Sequence, residues 1–198
     1  AGATWVEQSP TGALLSGLCF VGADRGWAAG DRGELLLTND GGASWEPQDS
    51  GTMECFGATH FVDDAFGWAV AEFGTVMHTK DGGVRWQEQA TDVDAMLLDV
   101  YFANRTTGWA VGAGGSVIRT TDGGATWRSS TPGPGRDLFA LSFPTSTEGW
   151  VVGDGGTILH TQDGGQSWTR QGAGLGEVWL LGVYFVDALT GWASAADG

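Results

Sequence analysis

Four aspartates occupy the same point of a recurring eight-residue segment: Asp40, Asp81, Asp122 and Asp163. Carboxylates held in sets are what general acid–base chemistry uses, so these are the first candidates for a catalytic group. The segments read TNDGGASW (38–45), TKDGGVRW (79–86), TTDGGATW (120–127) and TQDGGQSW (161–168). In each, the Asp carboxylate can accept hydrogen bonds from turn N–H groups and the Gly pair can take positive φ. Trp45, Trp86, Trp127 and Trp168 then fold under the turn. One acid per repeat spreads the set apart instead of converging it on a substrate, so the expected role is structural. The remaining reactive groups are His60, His78 and His160, Cys19 and Cys55, Tyr101 and Tyr184, and a carboxylate pair, Asp94 with Asp137.

The spacing belongs to a larger repeat. A Gly-Trp pair recurs at Trp27, Trp68, Trp109, Trp150 and Trp192, with spacings of 41, 41, 41 and 42. A second series runs Trp5, Trp45, Trp86, Trp127 and Trp168, and a Phe precedes each Gly-Trp tryptophan by seven residues (Phe20, Phe61, Phe102, Phe143, Phe185). Each unit reads as four short strands, as in LFALSF (138–143), GWVVG (149–153), TILHT (157–161) and SWTR (167–170). β-Branched and aromatic residues fill the runs, and Gly and Asp punctuate them. Four strands per unit of about 41 residues is a β-propeller blade. The fold class expected is all-β, a propeller of four-stranded blades in a single domain over residues 1–198.

Blades are expected at about 11–50, 51–91, 92–132 and 133–173. Residues 1–10 match only a last, outer strand, and 174–198 match only the inner strands. The prediction is four complete blades and one split between the termini, about five in all. A portion of a six- to eight-bladed ring is the alternative, and it would expose apolar blade faces. A closed ring predicts a monomer, and a fragment predicts self-association.

Composition agrees. Of 198 residues 35 are Gly and 11 are Trp, and only 17% are charged. Gly disfavours helix by about 1 kcal/mol per residue relative to Ala, which argues against a helical bundle. A net charge of −15, with one lysine, argues against nucleic acid and anionic membrane partners. No apolar run is long enough to span a membrane. The cysteines show no zinc-type spacing, lie out of register between units, and are expected as free buried thiols, and no metal or cofactor is expected. The opening Ala1-Gly2 in place of Met suggests a processed or trimmed start, with a removed signal peptide possible.

The hairpin segment resembles the Asp-box, or BNR repeat. The whole unit, GWAVG…G…I…TxDGGxTW, is similar to the photosystem II stability and assembly factor family and its bacterial relatives outside photosynthesis. The resemblance covers essentially the whole chain. It implies a β-propeller, a non-catalytic role in assembly or protein binding, hairpins at the outer rim, and a periplasmic, lumenal or secreted location. Those propellers generally carry more blades than the five counted here. The photosynthetic members carry an arginine patch, whereas the eight arginines here are scattered.

Asp-box sialidases need clustered arginines and a nucleophilic Tyr. Tyr101 and Tyr184 share one inner-strand position beside the repeated Phe, which reads as packing or channel lining. The same slot holds Cys19, His60 and Ser142. His78 and His160 share a third-strand slot with Leu37 and Arg119, which reads as a surface or inter-blade position. The Asp94–Asp137 pair across the channel mouth stays open, so a carbohydrate-binding or glycosidase-like propeller is an alternative function. A truncated or engineered fragment without selected activity is another.

The loops at the channel mouth vary most between units, which places specificity there. Leu14, Cys55, Met96, Asp137 and Trp179 begin the inner strands, and Trp179 is the one Trp outside both series. Trp179, Asp137, Arg136, Asp94, Glu54 and Glu177 are the candidate contacts for a protein partner.

Overall fold

The computed structural model describes residues 8, 11–130, 132, 135–172 and 175–196. Blade 1 is β1 (Leu15–Val21), β2 (Arg25–Gly30), β3 (Leu35–Thr38) and β4 (Glu46–Gln48). Blade 2 is β5 (Phe56–Phe61), β6 (Gly67–Ala71), β7 (Val76–Thr79) and β8 (Gln87–Gln89). Blade 3 is β9 (Leu97–Phe102), β10 (Gly108–Gly112), β11 (Val117–Thr120) and β12 (Arg128–Ser130). Blade 4 is β13 (Leu138–Ser142), β14 (Gly149–Gly153), β15 (Thr157–Thr161) and β16 (Thr169–Gln171). Each is a four-stranded antiparallel meander. Among the described residues a fifth sheet holds two strands, β17 (Leu180–Phe185) and β18 (Gly191–Ala195). Among the described residues no helix is long and apolar enough to cross a membrane.

The outer strands are three residues long and start after the hairpin Trp, later than the SWTR run suggests. Every inner strand also carries a register shift near its start, as between Phe56 and Ala58. Such an extra residue bends the strand and increases its twist. The central strands β6, β10 and β14 are buried along their whole length, because a neighbouring blade covers each of their faces.

The repeated aromatics explain how blades stack. Trp27 of blade 1 lies flat on Phe61 of blade 2, with ring centroids 3.6 Å apart. Trp68 stacks on Phe102 at 3.5 Å, Trp109 on Phe143 at 3.8 Å and Trp150 on Phe185 at 3.7 Å. The hairpin Trp of the receiving blade meets the same Phe edge-on, as Trp86 meets Phe61 at 5.8 Å and 89°. On its other side each Phe ring lies over the glycine of its own blade's Gly-Trp pair, where a Cβ would collide with it. The Trp indole is also tied down: Trp27 Nε1 donates to the Gly82 carbonyl at 3.0 Å and Trp109 Nε1 to Gly164 at 2.8 Å.

The array is open. Phe61, Phe102 and Phe143 are at most 4% exposed, but Phe20 is 39% exposed. Trp192 is 63% exposed, whereas Trp68 and Trp109 are fully buried. Among the described residues these two halves of the repeated contact have no stacking partner, unlike the rings of a closed five-bladed propeller. The strand expected at residues 1–10 lies outside the described residues except for Gln8. Gln8 Oε1 accepts from Trp45 Nε1 at 3.3 Å, as Gln89 does from Trp127, so the repeat register reaches back to residue 8.

Adding a methyl at Gly108 places it 2.5 Å from the Phe102 ring. Gly108→Ala is therefore expected to destabilise the protein by about 1–3 kcal/mol in urea unfolding. Gly12→Ala has no atom within 4 Å of the new methyl and is the control, expected within about 0.5 kcal/mol of the parent.

Candidate binding face at the channel mouth

The four hairpin aspartates lie at the end of the blades opposite the channel-mouth loops. Asp122 Oδ1 accepts from Thr126 N at 2.8 Å and from Thr120 Oγ1 at 2.8 Å, while Oδ2 accepts from Thr126 Oγ1 at 2.7 Å. Asp40 and Asp163 repeat the pattern with Ser44 and Ser167, and Asp81 with the Arg85 N–H. These bonds hold all four carboxyls below their ordinary pKa, that of Asp163 at about 2. Each carboxylate is occupied by its own turn.

The inner-strand slot of Cys19, His60 and Ser142 faces the next blade, which differs from a channel lining. Cys19 Sγ accepts from Phe61 N at 3.2 Å, His60 Nδ1 from Phe102 N at 3.3 Å and Ser142 Oγ from Phe185 N at 3.0 Å. Burial keeps His60 neutral, with its pKa down at about 4, and raises that of Cys19. Both cysteines are free and half-buried. Asp99, on the same strand as Tyr101, accepts the Leu141 N–H at 2.9 Å across the blade junction. Burial pushes its carboxyl up to about 6. His78 and His160 stack on Trp68 and Trp150 at 4.6 and 4.4 Å.

At the channel mouth, main-chain bonds clip blade 1 to blade 2, blade 2 to blade 3 and blade 4 to the fifth sheet, while the blade 3 turn reaches blade 4 through the Asp137 side chain. Gly33 N donates to Glu54 O at 2.9 Å, Gly74 N to Ala95 O at 2.7 Å and Gly156 N to Val178 O at 2.7 Å. The carbonyls of Leu14, Met96, Asp137 and Trp179 each accept an N–H from the turn or strand end beside them. The backbone largely repeats from blade to blade while the side chains differ.

Of the candidate contacts, Arg136, Asp137, Glu177 and Trp179 gather where blade 4 meets β17. Arg136 Nη1 lies 2.7 Å from Glu177 Oε2 and 3.5 Å from Asp154 Oδ2, so this arginine and glutamate hold each other. Asp137 Oδ1 accepts the Gly114 N–H at 2.8 Å, which occupies half of the proposed carboxylate pair. Trp179 is 55% exposed beside Phe139, at 6.0 Å. Glu54 and Asp94 belong to the loops entering blades 2 and 3, away from this group. Glu54 is half-buried and Asp94 exposed.

Two residues of this face were not singled out from the sequence. Arg32 and Phe73 sit at the middle of the β2–β3 and β6–β7 turns with φ of 57° and 56°. Blades 3 and 4 carry Gly114 and Gly155 there. The 41-residue register was the available signal: the position reads Arg, Phe, Gly, Gly.

The family of Photosynthesis system II assembly factor YCF48 matches residues 3–90 and 84–174. The chain belongs to this family. No curated protein sequence matches it. A structure of YCF48 bound to a D1 peptide is similar at 20% identity, covering 96% of this chain and 92% of that one, with a TM-score of 0.57. YCF48 from Cyanidioschyzon merolae matches at 16% identity over 96% and 95%, TM-score 0.54. An ancestral GH74 enzyme matches at 14% identity and TM-score 0.78 over 98% of this chain, which spans 29% of that enzyme. At these identities the structures show a shared propeller fold.

Asp99 binds its proton more tightly folded than unfolded. Its contribution therefore raises stability as pH falls from about 6 toward the ordinary value of 3.8, and lowers it as pH rises through that window. In urea titrations Asp99→Asn is expected to remove this component. The difference between parent and variant midpoints should change between those two pH values and stay flat above pH 7.

Proposed function

We propose that this member of the YCF48 family is a non-catalytic scaffold that binds a partner polypeptide on its channel-mouth face. The observation that carries this reading is the recurring backbone of that face, clipped at three of its junctions, presenting a different side chain at each equivalent position: Leu14, Cys55, Met96, Asp137 and Trp179. Such an arrangement puts recognition in the loops and stability in the strands. A related propeller described with a bound D1 peptide supports the same use of the fold. Trp179 is the candidate anchor at the blade 4 end, since exposed tryptophans often carry a large share of binding energy.

The GH74 likeness favours a second, carbohydrate-directed reading. Against it, Asp137 is engaged by a backbone N–H and Arg136 by Glu177. The two readings separate in parallel assays. Displayed dodecapeptides selected on the immobilised protein should bind it, with Trp179→Ala weakening them about tenfold, a hot-spot loss of about 1.4 kcal/mol. Chromogenic glycosides should remain uncleaved. Glycoside hydrolysis with no peptide retained would reverse the assignment.

A further inference from the structure

The left-handed turns of blades 1 and 2 have no packing reason for their residues. An L side chain in this conformation is strained, and a bulky one is a genuine outlier. Glycine fills the equivalent turns of blades 3 and 4. Phe73 gains no burial in exchange, being 67% exposed, and Arg32 is exposed with no ion pair among the described residues. Strain of this kind concentrates at binding and catalytic sites.

The surroundings bring these residues into one patch. Gly33 N donates to Glu54 O, and Cys55 N donates to Glu72 Oε2 at 3.1 Å, so the loop carrying Met53 is fixed between the two turns. Asp31 N donates to Leu14 O and Leu14 N to Asp31 Oδ1 at 2.8 Å, which sets Leu14 beside the first turn. Met53 and Leu14 are both 76% exposed. Asp31 and Glu72, the acids of the two turns, accept backbone N–H groups, and among the described residues Arg32 makes no ion pair. The patch therefore offers three apolar side chains beside one guanidinium that has no ion pair among the described residues, in a molecule of net charge −15.

We propose that Leu14, Arg32, Met53 and Phe73 form a docking patch for an extended peptide segment carrying an apolar side chain next to a carboxylate. The apolar group covers Phe73 and Met53, and the carboxylate takes the guanidinium fork of Arg32. This rests on the peptide-binding reading above and names the chemistry of the partner.

Glycine is the residue of choice for the test, because the backbone of both turns already suits it. Arg32→Gly, Phe73→Gly and the double variant are expected to fold with unchanged or higher Tm. Dodecapeptides selected on the parent protein should share an apolar residue beside Asp, Glu or a free C-terminus. Their affinity should fall at least tenfold in each single variant, with the Arg32→Gly loss shrinking at high salt. Peptides that bind parent and double variant equally, or that share no acidic group, overturn the patch while leaving peptide binding intact. Failure of the parent to retain any peptide overturns both readings.

Discussion

Each blade junction is built on one contact: an indole from one blade lying flat on a phenyl ring of the next. The phenyl ring has no room to move away, because the glycine of its own Gly-Trp pair lies directly behind it and the hairpin Trp closes its edge. Stacked and edge-on aromatic pairs add roughly 0.5–1.5 kcal/mol beyond the area they bury. The indole N–H also finds a carbonyl of the next blade's hairpin, so the polar atom of the buried Trp is satisfied. The hairpin is in turn held by its aspartate. The Asp-box and the Gly-Trp pair are thus two ends of one device. Where the device lacks a stacking partner among the described residues, at Phe20 and Trp192, the rings are exposed.

This coupling explains why so much of the fold was legible in the sequence. A contact that recurs once per blade forces Gly, Trp and Phe into three fixed registers, and a 41-residue period can be counted without any structure. The order of strands within each sheet follows from it. What the period could not show was the direction of side chains within a slot. Cys19, His60 and Ser142 alternate with core residues along their strand in a way that suits either a channel wall or a blade junction. Only the next blade's N–H groups, which they accept, decide between the two.

The binding face was less legible for a related reason. Charged residues at a channel mouth look available in a sequence, yet Arg136 and Glu177 pair with each other and Asp137 caps a turn. Trp179 kept its exposure because no repeat contact claims it. Arg32 and Phe73 escaped attention since neither is an unusual residue for a loop. Their significance lies in a positive φ, which is a property of the backbone and of the glycines found at the same position in other blades.

The inter-blade stack acts as a cooperative unit, and the junction of blades 2 and 3 is where this can be measured. Trp68 and Phe102 lie 3.5 Å apart there, both buried. A double-mutant cycle of Trp68→Leu, Phe102→Leu and the pair, followed by urea unfolding, measures their coupling. A coupling of about 1 kcal/mol or more is predicted. Losses that add to within about 0.3 kcal/mol would show instead that the two rings contribute only as independent apolar surface and that the stack is not cooperative.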